Sequence, residues 1–263
     1  MTAIDTHVHL YSCFDMGRAL GFLYSNLGAL AAGTAGQRVG LLAERGDCRV
    51  FEALVAGTGT ELSAGWRVRK AVEECAVTLA NEAGGELILV AGRQLVTAER
   101  LEVLALATAS APPEGMPVAE TIIGVREHGG VPVLAWGLGK WLFSRGRLVA
   151  RLLATPDSGS VLFGDTALRC GLCGGGLLAR ARSQGFGVVA GSDPLPVAGE
   201  ERYLGTCGIV CHGRIDADRP ASAVRDLLSV PPVATGWRIA GSRSTVFGAV
   251  RRSCRFRLAR GGC

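Results

Sequence analysis

Short apolar runs bounded by glycine recur along the chain: AIDTHVHL from residue 3, then VGLLAE, ELILVAG, LEVLALA, VPVLAW, SVLFGD and GVVAGSD. Between the later runs lie longer stretches, 117–129, 141–153 and 174–184, whose apolar residues recur at three- and four-residue spacing. That spacing predicts helices covering a parallel sheet, and the alternation predicts consecutive βα units in an α/β protein. Residues 46–85 are less regular, and VRKAVEECAVTLANEAGGELILV suits either a helix or a hairpin closed near Gly84-Gly85. No repeat, low-complexity segment or linker divides the chain before Pro231-Pro232. The expectation is a parallel βα barrel over residues 1–230 and a C-terminal extension over 231–263.

Composition narrows the class. With 263 residues, 38 Gly, 48% hydrophobic and 19% charged residues, the chain suits one large domain and excludes disordered, collagen-like and coiled-coil proteins. Burial at this length stabilises a fold without disulfides or a structural metal. The formal charge is +5, and residues 251–263 (RRSCRFRLARGGC) hold five Arg and no acid, so the basicity lies in an Arg-rich tail. A solvated terminus is the expected state of such a tail, and nucleic-acid binding is disfavoured. The N-terminus has no basic region followed by an apolar stretch and no long apolar run occurs, so a cytoplasmic protein with reduced thiols is expected. Among its nine cysteines, Cys170/Cys173 and Cys207/Cys211 with His212 have spacings that a zinc ion accepts, but buried or incidental thiols are the default.

Polar residues with chemical potential stand where the apolar runs end. In a parallel barrel those ends converge on one mouth, which would gather Asp5, His7, His9, Gln94, Glu102, Trp136, Lys140, Asp165, Arg169 and Asp193. The strongest motif is Asp5-Thr6-His7-Val8-His9: residues two apart in a strand share a face, so two imidazoles reach one divalent ion with Asp5 beside them. Trp136-Gly-Leu-Gly-Lys140-Trp141 follows a strand and opens a helix, which offers an ammonium and backbone N–H groups to an anion beside an aromatic wall. Lysine occurs only at 70 and 140, so Lys140 is retained where Arg is otherwise used. Asp165 at the end of SVLFGD suits a general base or a ligand, with Arg169 holding a substrate anion; an N-cap paired with Arg is the alternative. His128 reads as a helix C-cap. Neither a serine nucleophile elbow nor a dinucleotide-binding glycine fingerprint is present.

These motifs resemble the polymerase and histidinol phosphatase (PHP) family over about residues 3–200. His7 and His9 match its opening HxH, LILVAGRQLVTAERLEVLALA resembles its second block, GVREHGGVPVLAW its third, and VVAGSDPL its closing Gly-Ser-Asp-x-His. The resemblance implies a distorted seven-stranded, TIM-like barrel and metal-dependent phosphoesterase activity. Four family ligands are replaced, by Gln94, Glu102, Trp136 and Leu195, which argues against a full trinuclear centre.

The expectation is therefore a PHP-like hydrolase with one or two divalent ions (Zn, Mn or Fe) held by His7, His9, Asp193, Glu102 and Asp5. Asp165 and Lys140 would be catalytic, and Arg169, Trp136, Trp141 and Gln94 would bind a phosphoester or other small anionic substrate. The rival is a barrel that has lost its chemistry and binds an anionic ligand or partner protein without metal.

Overall fold

Each of the seven apolar runs contains a strand in the computed structural model, which describes residues 1–31, 36–46, 48–57, 61–62, 65–69, 73–155, 161–170, 175–230 and 236–259. In chain order the strands are β1 (Thr2–Val8), β2 (Gln37–Leu42), β3 (Glu61–Leu62), β4 (Trp66–Arg69), β5 (Ala76–Asn81), β6 (Glu86–Val90) and β7 (Gly92–Val96). They continue with β8 (Glu102–Leu106), β9 (Val131–Ala135), β10 (Leu162–Thr166), β11 (Val188–Gly191), β12 (Cys207–Cys211) and β13 (Arg238–Gly241). One sheet has eight strands in the order β13-β12-β1-β2-β6-β5-β4-β3, and the other has five in the order β11-β10-β9-β8-β7. Of the two readings for residues 68–90, the hairpin is the one formed: β5 pairs antiparallel with β6 around Gly84-Gly85.

Both sheets are mixed, which overturns the parallel, TIM-like seven-stranded barrel expected from the sequence. β1, β2 and β6 are parallel, as are β9, β10 and β11, but β7, β8 and β9 alternate in direction. Two local causes account for this. The connection between β7 and β8, residues 97–101, is too short for a crossover, so the strands return as a hairpin. After β8 the chain first runs back beside β7, where Gly115 N–H donates to Val96 O (2.8 Å) and Ala98 N–H to Met116 O (2.9 Å). A helix then carries it forward again and β9 enters antiparallel. The sheets meet at two seams without a continuous ladder among the described residues. At one, Gln94 N–H donates to Glu44 O (2.8 Å); at the other, Asp193 N–H donates to His7 O (3.0 Å).

The helices are α1 (Met16–Leu30), α2 (Val50–Ala56), α3 (Val118–Glu127), α4 (Phe143–Leu152), α5 (Gly175–Ser183), α6 (Pro220–Ser229) and α7 (Val246–Leu258). Asp15 caps α1 by accepting from Arg18 N–H at 2.8 Å, and Leu20, Leu23 and Leu27 on its buried face cover the first sheet. Each such fully buried leucine contributes about 1.5–3 kcal/mol of hydrophobic stabilisation. α3, α4 and α5 cover the second sheet through Ile122, Val149 and Leu178, and Ile4, Val39, Leu104, Val133 and Val189 fill the space between the sheets. His128 is the C-cap residue of α3, its Nδ1 2.7 Å from Gly124 O.

The C-terminal segment is part of this architecture rather than a solvated tail. β13 pairs with β12, and α7 buries Arg252 against Glu200, Nε to Oε2 2.8 Å. Pro231-Pro232 and residues 260–263 lie outside the described residues. The thiols also depart from expectation, because Cys13 is engaged in a disulfide, as is Cys170. Cys207 and Cys211 are buried free thiols at opposite ends of β12, about 13 Å apart at strand rise, so they cannot share an ion. Cys173 lies outside the described residues. Among the described residues, no helix is long and apolar enough to cross a membrane.

Candidate metal centre

The register of β1 shifts between Asp5 and Val8, and this irregularity separates Asp5 from the histidines that the strand period would place beside it. Asp5 Oδ1 accepts from the N–H groups of His7 (3.0 Å) and Ser192 (2.8 Å), and Oδ2 accepts from Gly205 N–H (2.9 Å). Burial pushes the Asp5 carboxyl up to about 6 against these hydrogen bonds. Asp5 is thus the knot tying β1 to the segment after β11 and the turn before β12, and it does not join the histidines as a ligand.

His7, His9 and Asp193 do come together. His7 Nε2 lies 3.0 Å from His9 Nε2, and each lies 3.6 Å from Asp193 Oδ1. Atoms at those separations lie on a circle of radius about 2.0 Å, so one point is within 2.0–2.1 Å of all three, the length of a zinc–imidazole bond. Asp193 reaches the point from a left-handed backbone conformation (φ 45°) directly after β11. The close approach of β11 to β1 requires Gly191, where a Cβ would meet His7 N and Cβ at 2.4 Å. Burial, then the neighbouring His7 and Arg45, hold the His9 pKa well below its ordinary value, so His9 presents a neutral ring. Burial raises the Asp193 pKa, while His7 opposes the rise.

Gln94, Glu102 and Lys140 extend this cluster as a chain of hydrogen bonds. Gln94 Oε1 is 2.9 Å from His7 Nε2, Gln94 Nε2 donates to Glu102 Oε1 at 2.9 Å, and Lys140 Nζ donates to the same Glu102 oxygen. A carboxylate only accepts, so Glu102 fixes which end of the Gln94 amide faces His7. Glu102 therefore acts one residue removed from the converging atoms. It arrives because β8 is reversed: as the first residue of β8 it pairs with Ala135, the last of β9, and so lies at the end of the sheet from which Lys140 follows.

A cavity of about 400 Å³ opens over these groups, walled by His9, Gln94, Glu102, Lys140 and Asp193, with Arg45 and Tyr11 on one side and Phe256 and Arg257 of α7 on another. Leu195, where the resemblance would put a ligand histidine, lines the wall and cannot coordinate. The expected tryptophan wall is absent from it. Trp136 and Trp141 are buried under the helices of the second sheet, and Trp141 Nε1 donates to Ala135 O (3.1 Å). Asp165 and Arg169 also lie elsewhere, paired through Nε–Oδ1 (2.6 Å) and Nη2–Oδ2 (2.8 Å), with Arg243 on Oδ2 as well. A carboxylate held by two guanidinium groups is a poor proton acceptor, and Asp165 is not positioned as the general base. Sequence reasoning missed Arg45, Tyr11 and the α7 residues. Tyr11 continues the strand alternation His7, His9, Tyr11 and was legible in principle; Arg45 and Arg257 carry no local signal.

No family model matches the chain, and no curated protein sequence matches it. The fold is similar to that of PsfC from Pseudomonas syringae PB-5123, a crystal structure 16% identical in sequence, with a TM-score of 0.54 over 98% of this chain and 97% of that one. At that identity the likeness is one of fold. The resemblance to PHP phosphoesterases rests on the sequence motifs alone.

Proposed function

We propose that this protein is a hydrolase of a phosphoester or comparable small anionic substrate, working with one divalent ion held by His7, His9 and Asp193. The supporting observation is the triangle of two imidazole nitrogens and a carboxylate oxygen, with sides of 3.0, 3.6 and 3.6 Å, beneath a cavity that substrate can enter. Two His and a carboxylate suit Zn, Mn or Fe. An ion bound there would supply Lewis acidity and lower the pKa of a water molecule. In the hydrolysis, the water oxygen bonds to phosphorus, the bond from phosphorus to the alcohol oxygen breaks, and that oxygen takes a proton. The chain's own groups do the remaining work. Gln94, held by Glu102, turns its amide oxygen toward His7 Nε2, the atom that would bind the ion, and so adds a neutral oxygen beside the centre, while Lys140, Arg45 and Arg257 on the cavity wall offset the charge of the anion.

Elemental analysis of protein purified without chelator or affinity tag, beside a His7→Ala/His9→Ala variant, tests the reading. About one equivalent of metal is expected in the wild type and none in the variant, with phosphoester hydrolysis removed by chelator and restored by the metal. Absence of metal from both proteins after reconstitution would overturn the proposal and favour an anion-binding protein without metal chemistry.

A further inference from the structure

Beside the cavity over the three converging groups lies a second, of about 790 Å³, and the two share His9, Tyr11, Arg45 and Pro196 as common walls. Its volume is that of a site for a sizeable organic molecule. Phe14, Met16, Val50 and Ala53 are among its lining, together with the charged Glu44, Arg49 and Glu114, of which Glu44 accepts from Phe51 N–H at 2.8 Å and Arg49 pairs with Glu52 at 3.4 Å. An aromatic ladder runs from one cavity into the other. His7 and His9 have ring centroids 4.8 Å apart, His9 stacks on Tyr11 at 5.0 Å, and Tyr11 meets Phe14 edge-on at 5.4 Å. Tyr11 and Arg45 line both cavities, which places a guanidinium at their junction.

We infer that the substrate is an anion carrying an apolar, preferably aromatic, group: the anionic end lies at His7, His9 and Asp193 against Arg45, and the apolar group fills the second cavity along Tyr11 and Phe14. This rests on the function proposed above and specifies its substrate class. A guanidinium at the neck recognises the oxygens of the anion, while an apolar body leaves water for an apolar wall. A small anion without such a body would use only half the site.

The test is equilibrium binding of methylphosphonate and phenylphosphonate to the metal-reconstituted protein, with metal content measured in parallel. Phenylphosphonate is expected to bind about tenfold tighter or more, the return from burying one ring. Ala53 is exposed on α2, so Ala53→Trp fills the cavity without disturbing the core; it should cut the preference below about threefold. Val50→Trp provides a second filling of the same space. Arg45→Met should weaken both ligands about tenfold or more with metal content retained. Equal affinity for the two ligands, or a preference that survives both filling variants, would overturn the inference. Metal uptake with binding of neither phosphonate would also overturn it and leave the metal site standing, whereas a protein that takes up no metal refutes the underlying function itself.

Discussion

Gly191 decides whether the His7 and His9 nitrogens and the Asp193 oxygen can meet. A Cβ there would lie 2.4 Å from both the backbone nitrogen and the Cβ of His7, atoms that cannot move without displacing β1. Gly191→Ala is therefore expected to lower unfolding free energy by about 2–4 kcal/mol in urea titrations and to reduce bound metal to a small fraction of wild type. Asp165 yields a prediction in pH. Burial alone would raise its pKa, but hydrogen bonds from Arg169 and Arg243 outweigh burial and hold it below the ordinary value. A carboxyl with a depressed folded pKa contributes stability that is complete above its unfolded value of about 4 and is lost as pH falls through the folded value. Wild type should thus lose stability between about pH 5 and pH 3 more steeply than Asp165→Asn, measured by thermal unfolding across that range; parallel curves would refute the assignment. His7, His9 and Asp193 were legible in the sequence because the alternation of a strand and the end of an apolar run each fix a direction. Asp5 was misread because the irregularity after it leaves no mark in the residue pattern.

β7 and β8 show the same contrast among elements. Gln94 lies opposite Leu104, two residues from Glu102, so Gln94 and Glu102 are diagonal neighbours on one face of the hairpin and their side chains can join. Glu102→Gln removes the obligate acceptor, lets the Gln94 amide turn, and frees Lys140. Metal affinity should fall about 10–100-fold, as for other groups that orient a ligand, with unfolding free energy changed by under about 1.5 kcal/mol. A competition titration against a chelator measures the first quantity and denaturation the second; unchanged affinity would show that Glu102 does not position the site. Seven of the strands could be located from their apolar runs, and the helices at 118–127, 143–152 and 175–183 from their spacing. Strand direction could not. It depends on the length of the 97–101 connection and on the return path of 107–117 along β7, neither of which apolar periodicity encodes.

In the molecule as a whole, the C-terminal segment closes the site. Its five arginines suggested a solvated tail because no acid stands near them in sequence; the partner of Arg252 is Glu200, far back along the chain. Both are buried, and the Arg252 guanidinium also lies 3.9 Å from the centre of the Tyr203 ring. About one turn of α7 further on, Phe256 and Arg257 form part of the cavity wall. Removing one member of a buried pair leaves an uncompensated charge, so Arg252→Met should cost about 3–5 kcal/mol, and Glu200→Gln a similar amount. The double variant buries no unmatched charge and should be more stable than the sum of the single effects implies, with a coupling of about 1–3 kcal/mol in a double-mutant cycle. Because α7 carries part of the wall, Arg252→Met should also weaken phosphonate binding while metal content stays at wild-type level, since His7 lies in β1 and His9 and Asp193 directly follow β1 and β11. Additive single effects would mean that the pair does not fasten α7. Metal lost together with phosphonate affinity would mean that the helix supports the centre itself rather than the wall above it.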